Sequence, residues 1–283
     1  MSKRRWYDIG VTAAQAAFPD VDQGYICPLC GDLFSLDRIG ELSVEHVPPA
    51  AIGGKALVLT CSDCNNRAGH EVDAPAVKNQ RIRDLLDGTM TEISASVPGR
   101  TYLNHGYRID ADLRNMGGGI VADGLLRLSG PPLPDSPRVT LEGDFRRWQF
   151  RIGDLGKETV SWLKSAYLVA FAALGYRYLA LPGLEQVRDW IRQPEKAKDQ
   201  IYHLHVEGIP EHQRGIMIIP ADGSPEAIAV QFGTRVMFLP GTEKGATFYT
   251  RLHSEACRER LLDPSRESKL ISWPTEPMHL LDL

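Results

Sequence analysis

Residues 25–75 read YICPLCGDLFSLDRIGELSVEHVPPAAIGGKALVLTCSDCNNRAGHEVDAP, and four of the chain's five cysteines fall inside this stretch. They stand as Cys27-x-x-Cys30 and Cys61-x-x-Cys64, with 30 residues between the two pairs. Each pair is a tight knuckle that aims two thiolates at one ion, and two knuckles complete a tetrahedral Zn²⁺ site. Such a site is closed, so the zinc is structural and leaves no position for water or substrate. It also supplies the folding free energy that so short a module lacks in its own core.

A plain zinc ribbon spaces its knuckles by about 15–20 residues. The gap here is longer and has its own pattern. Leu42 to Val47 alternates like a strand and is stopped by Pro48-Pro49. Gly53-Gly54 makes a turn, and Ala56 to Thr60 forms a second strand. After the second knuckle, Asn65 to Glu71 is predicted as a helix that Pro75 limits. The prediction is a ββα unit clipped by zinc.

Cys-x-x-Cys, then Glu-His-Val-Pro-Pro, Gly-Gly and Leu-x-x-Cys-x-x-Cys-Asn resembles an HNH endonuclease of the ββα-metal class in its zinc-knuckle form. The resemblance spans about fifty residues of 283. It implies a site on the hairpin and helix, separate from the zinc, built from Glu45, His46 and Asn65. It also implies hydrolysis of phosphodiester bonds, most naturally in DNA, with His46 as general base and Glu45 and Asn65 holding a divalent cation.

The residue types suit that chemistry. A hard cation offsets the charge that builds on the phosphate and the departing oxygen, and oxygen donors such as Glu45 and Asn65 suit Mg²⁺ or Mn²⁺. An imidazole with an ordinary pKa near 6.5 accepts a proton at neutral pH. Adjacent strand residues point to opposite faces, so Glu45 and His46 need a twist or bulge to share one site. Each also has a plainer reading: a solvated or buried histidine beside proline, a solvated strand carboxylate, and Asn65 as a helix cap.

The pattern departs from the family's fuller form. Lys55 and Ala56 stand where the middle asparagine is expected. His70 lies four residues after Asn66 and shares its helical face, so Asn66 with His70 is an alternative cluster; His70 reads as a catalytic-site residue, behind the ligands or on the phosphate, or as a plain polar helix residue. Lys55 and Arg67 flank the expected site as phosphate contacts or as solvated surface charges.

Outside this stretch the composition is that of an ordinary globular protein, 43% hydrophobic and 24% charged, which excludes a disordered or collagenous chain. The net charge of −4 gives no global basic field, so a nucleic-acid partner needs a local patch. One candidate is Phe145 to Arg151, where Arg147 and Arg151 share a strand face that reads as a DNA-tracking strip or as the solvated side of a half-buried strand. His203 and His205 lack a completing ligand and read as structural.

The predicted fold is α+β: a zinc-stapled module over residues 1–78, then a larger α+β domain over 79–283 for recognition, regulation or oligomer contacts. A helix is expected at Asn79 to Leu86, antiparallel strands over Glu92 to Ile152, and a core helix at Leu155 to Ala180 packed on that sheet. A further helix is expected near Leu184 to Ile191. Strands are expected near Ile216 to Ile219, Ala227 to Phe232, Val236 to Leu239 and Thr247 to Leu252. The apolar run Ser165 to Tyr176 is too short for a membrane span, which needs about 20 residues. The N-terminal MSKRRWYDIG has no apolar run behind its basic residues, so a cytoplasmic protein with reduced cysteines is expected.

Three functional classes follow. The first is an HNH nuclease acting on DNA, with restriction or antiphage defence as the setting the resemblance suggests. The others are an RNase with the same site and a non-catalytic zinc-knuckle binding module.

Overall fold

The computed structural model describes residues 2–86, 96–102, 107–115, 120–128, 138–142, 149–150, 152–197, 200–210, 212–221, 224–254 and 268–277. Its contacts divide the chain into two compact units: Met1–Asp73 together with Gly156–Leu283, and Ala74–Leu155. The apolar helix after residue 155 falls in the same unit as the cysteine module.

The first unit opens with helix α1 (Lys3–Ala17), which the sequence reading had not anticipated; Trp6, Tyr7, Gly10, Val11 and Ala14 form its buried stripe. Strands β1 (Tyr25–Ile26) and β2 (Leu33–Phe34) pair around the first knuckle, where Gly31 takes a left-handed φ of 81° and donates its N–H to Cys27 O. A side chain is strained in that conformation.

The second hairpin joins β3 (Leu42–Val47) and β4 (Lys55–Cys61), and α2 (Ser62–Ala68) follows without a linker because Cys61 ends the strand and caps the helix. A turn of π-helix, Gly69–Asp73, closes the segment. The strand-turn-strand-helix order is the one expected.

Helix α3 (Ala74–Leu86) begins the second unit, so Pro75 sits in a first helical turn, where a missing N–H is harmless. Strands β5 (Val97–Tyr102), β6 (Tyr107–Asn115), β7 (Ile120–Leu128), β8 (Arg138–Glu142) and β9 (Gln149–Phe150) form an antiparallel sheet in the order β8-β7-β6-β5-β9. Asn79 ties α3 to the end of this unit, accepting from Gly153 N at 2.6 Å. Arg147 and Arg151, the proposed DNA strip, lie outside the described residues.

Helix α4 (Leu155–Leu174) is buried continuously from Val160 onward. It lies in the core of the first unit. Tyr167 donates to Pro28 O at 2.6 Å in the first knuckle, and Trp162 packs on Phe232. After α5 (Tyr176–Leu179) and α6 (Leu184–Arg192), a second antiparallel sheet holds β10 (His203–His205), β11 (Arg214–Ala221), β12 (Ser224–Phe232), β13 (Arg235–Pro240) and, beyond them in sequence, β14 (Lys269–Ile271). Its order is β10-β13-β12-β11-β14.

Helix α7 (Gly245–Leu252) stands where Thr247 to Leu252 was expected to be a strand. The aromatic and β-branched residues suggested the strand, but Phe248, Tyr249 and Leu252 bury on one helical face. No helix of the described residues is long and apolar enough to cross a membrane.

Two predictions arise from this packing. A Cβ on Gly54 would lie 1.4 Å from the Pro48 carbonyl oxygen, which belongs to the backbone and cannot swing away. Gly54→Ala is therefore expected to destabilise the first unit by about 1–3 kcal/mol in urea titrations. Burial raises the pKa of Tyr25, Tyr167 and Tyr176. The folded chain thus keeps protons that the unfolded chain releases near pH 10, and stability measured by thermal melts should fall as pH rises past about 10.

Candidate active site and its zinc staple

The metal-binding part is the clearer. The sulfurs of Cys27, Cys30, Cys61 and Cys64 all lie within 4.8 Å of one another, and all four are free thiols. Four sulfurs at about 2.3 Å from a tetrahedral centre are about 3.8 Å apart, which is the Cys30–Cys61 separation, 3.8 Å. Backbone N–H groups support them: Cys61 N donates to Cys27 Sγ at 3.3 Å and Cys64 N to Cys61 Sγ at 3.4 Å.

The thiols share protons unevenly. Hydrogen bonding from Cys27 and Cys30 lowers Cys64 to about 4, and hydrogen bonding from Cys27 lowers Cys61 to about 7. Cys27, crowded by the other three sulfurs, is pushed up. The donor set, spacing and burial fit Zn²⁺. Among the described residues this is the one such cluster, and His203 and His205 on β10 are not part of any.

The hairpin carries the rest. Its register pairs Glu45 with Val58 but His46 with Ala56, so Leu57 is an extra residue on β4. The bulge lies on the partner strand and leaves the alternation of β3 intact: Glu45 is buried, 3% exposed, and His46 is exposed. The expected sharing of one site by these two side chains is therefore not what the hairpin builds.

Asn65, on α2, donates its amide to Ser43 Oγ at 2.8 Å and to Val44 O at 3.5 Å. It fastens the helix to β3 two residues before His46. Both bonds use Nδ2, so Oδ1 is the atom left to face a cation.

Lys55 is exposed and paired with Val47 at the end of the hairpin that carries His46. Asn66, Arg67 and His70 are exposed on the helical segment. Arg67 lines a cleft of about 290 Å³ over the cysteines, beside Asp32, Arg38, Glu41 and Asp63. Arg38 is already paired with Glu41 at 2.7 Å. The cleft thus mixes both signs of charge and is not a basic groove.

Glu45 turns inward to a group that the sequence did not reveal. Lys164 of α4, 1% exposed at its side chain, sits 2.9 Å from Glu45 Oε1 and 2.5 Å from Asp73 Oδ2. Ser161 Oγ donates to Asp73 Oδ1 at 2.7 Å, and Thr60 Oγ1 to Glu45 Oε2 at 3.5 Å. Burial acts to lower the Lys164 pKa, but attraction to the two carboxylates outweighs it, and the ammonium stays charged. For Glu45, burial raises the pKa and Lys164 only partly offsets it. The one hint in the sequence was a lysine in the apolar stretch of a helix, which demands a buried partner; nothing there named Glu45 or Asp73.

Residues 27–81 match the family model of the HNH endonuclease, in agreement with the resemblance drawn from the motif. The match takes in less than a fifth of the chain and includes the knuckles, hairpin and helix but not Lys164. No curated protein and no solved structure matches the chain.

The protein should purify with about one tightly held zinc. Cys61→Ser should lose metal and fold together, read by elemental analysis and circular dichroism, because the structural ion is itself folding free energy. A folded, zinc-loaded Cys61→Ser protein would contradict the staple.

Proposed function

We propose that the chain is a metal-dependent endonuclease that hydrolyses phosphodiester bonds in DNA, with His46 as general base. The observation that supports it most is the placement of His46: accessible on the HNH-matched hairpin, next to the point where Asn65 fastens the helix to the strand. From there the imidazole accepts a proton from an attacking water, and the rigid hairpin keeps it oriented. Lys55 and the exposed helical residues Arg67 and His70 offer contacts for phosphate on the same module.

A divalent cation of the Mg²⁺ or Mn²⁺ kind, which the HNH resemblance implies, supplies charge neutralisation at the phosphate and departing oxygen when bound. Of the residues expected to hold it, Asn65 fits, with a carbonyl oxygen available. Glu45 does not, because its carboxylate is buried on Lys164. A setting in restriction or antiphage defence is the biological reading that suits a nuclease module joined to a larger α+β body.

One observation favours a second reading. With Lys164 as its partner, Glu45 has a structural reason to exist, so the Glu-His pair alone no longer argues for catalysis. A non-catalytic zinc-knuckle module that binds nucleic acid is that alternative.

The experiment is a cleavage assay on supercoiled plasmid, linear duplex, single-stranded DNA and RNA, with Mg²⁺, Mn²⁺ or chelator. Wild type should cut DNA only with metal, and His46→Ala should keep zinc and fold yet lose about 100-fold or more in rate. Undiminished cutting by His46→Ala removes the base. Binding without cutting by wild type selects the second reading, and cutting of RNA alone reassigns the polymer.

A further inference from the structure

The ammonium of Lys164 touches the two halves of the candidate site from behind. Glu45 is the neighbour of His46 on β3, and Asp73 ends the helical segment that carries His70. Both carboxylates come from the module that matches the HNH model, whereas the lysine comes from α4, 119 residues beyond Glu45. All three groups are buried, and Ser161 of the same helix takes the second oxygen of Asp73.

We infer that Lys164 is a positioning residue, a resident cation that clamps the hairpin to the helical segment and so fixes the backbone from which His46 projects. Glu45 then acts through this clamp and not as a ligand of a catalytic metal. Three features converge on this assignment. Ordinary strand alternation, which the bulge on β4 leaves intact, turns Glu45 away from the exposed face of His46. Each carboxylate meets the same nitrogen. Thr60 and Ser161 satisfy further oxygens, so the cluster is closed by protein groups on several sides.

The physics of buried charge makes the assignment testable. Removing one member of a buried ionic cluster leaves uncompensated charge and is strongly destabilising, whereas replacing the whole cluster by neutral groups is often tolerated. Lys164→Met strands two carboxylates. Lys164→Met with Glu45→Gln and Asp73→Asn strands none and keeps hydrogen-bonding groups at 45 and 73.

The role of Lys164 in turnover rests on the nuclease reading; the clamp itself does not. Three readouts on the full, zinc-loaded chain separate them: amide hydrogen exchange at Ser43 to Val47, the His46 imidazole NMR resonance, and the Mn²⁺ concentration that half-saturates cleavage. In Lys164→Met, exchange at β3 should quicken at least tenfold, the His46 resonance should move and cleavage should fall at least tenfold. The triple variant should return exchange and resonance to wild type, with cleavage within about threefold and an unchanged Mn²⁺ requirement.

A triple variant with native exchange that has lost cleavage about 100-fold, or needs tenfold more Mn²⁺, would overturn the inference and make Glu45 a cation ligand. Native β3 exchange and an unmoved His46 resonance in Lys164→Met would overturn the clamp. If wild type cuts nothing, the nuclease reading fails, while exchange and resonance still decide the clamp.

Discussion

A single buried ammonium organises the first unit. Lys164 carries a full charge into a helix that is otherwise almost entirely apolar along its buried length, and that charge is tolerable only because Glu45 and Asp73 meet it there. The requirement runs both ways. Among the described residues neither carboxylate has another cation at hydrogen-bond distance, so strand β3, the π-turn and α4 must arrive at one point together. Hydrophobic burial supplies most of the cohesion, but it is non-directional. The charge cluster sets which residue faces which.

The zinc site complements this constraint from the other end of the hairpin. Cys61 closes β4, caps α2 and contributes a thiolate, so one residue ties strand, helix and metal. Tyr167 then carries the same helix α4 to the carbonyl of Pro28 in the first knuckle. The module is therefore gathered at its knuckles by a cysteine cluster fit to hold a metal ion, and backed by α4.

Much of the module was legible in the sequence because its signals are local. The alternation from Leu42 to Val47 and the stop at Pro48-Pro49 define β3 residue for residue. Cysteine spacing announced the metal cluster. Adjacency said that Glu45 and His46 share a site only through a twist or bulge; the bulge falls on β4, and each side chain keeps the face that alternation gives it. The partner of Glu45 was hidden for a different reason: it lies more than a hundred positions away, and charge pairing leaves no periodic trace. Helix α4 is legible as core, but an all-round apolar helix states that it is buried and not by what. At Thr247 to Leu252, aromatic and β-branched content outweighed spacing, and tertiary packing made a helix.

The order in which these parts are made has a consequence for biosynthesis. The chain leaves the first unit at Asp73 and rejoins it at Gly156. A ribosome adding roughly 5–20 residues per second needs several seconds to more than ten to pass from Asp73 to Lys164. Throughout that interval Glu45 and Asp73 are on the chain without the lysine that meets them in the finished fold. The module that matches the HNH model therefore gains its buried cation only after the whole intervening segment has been synthesised.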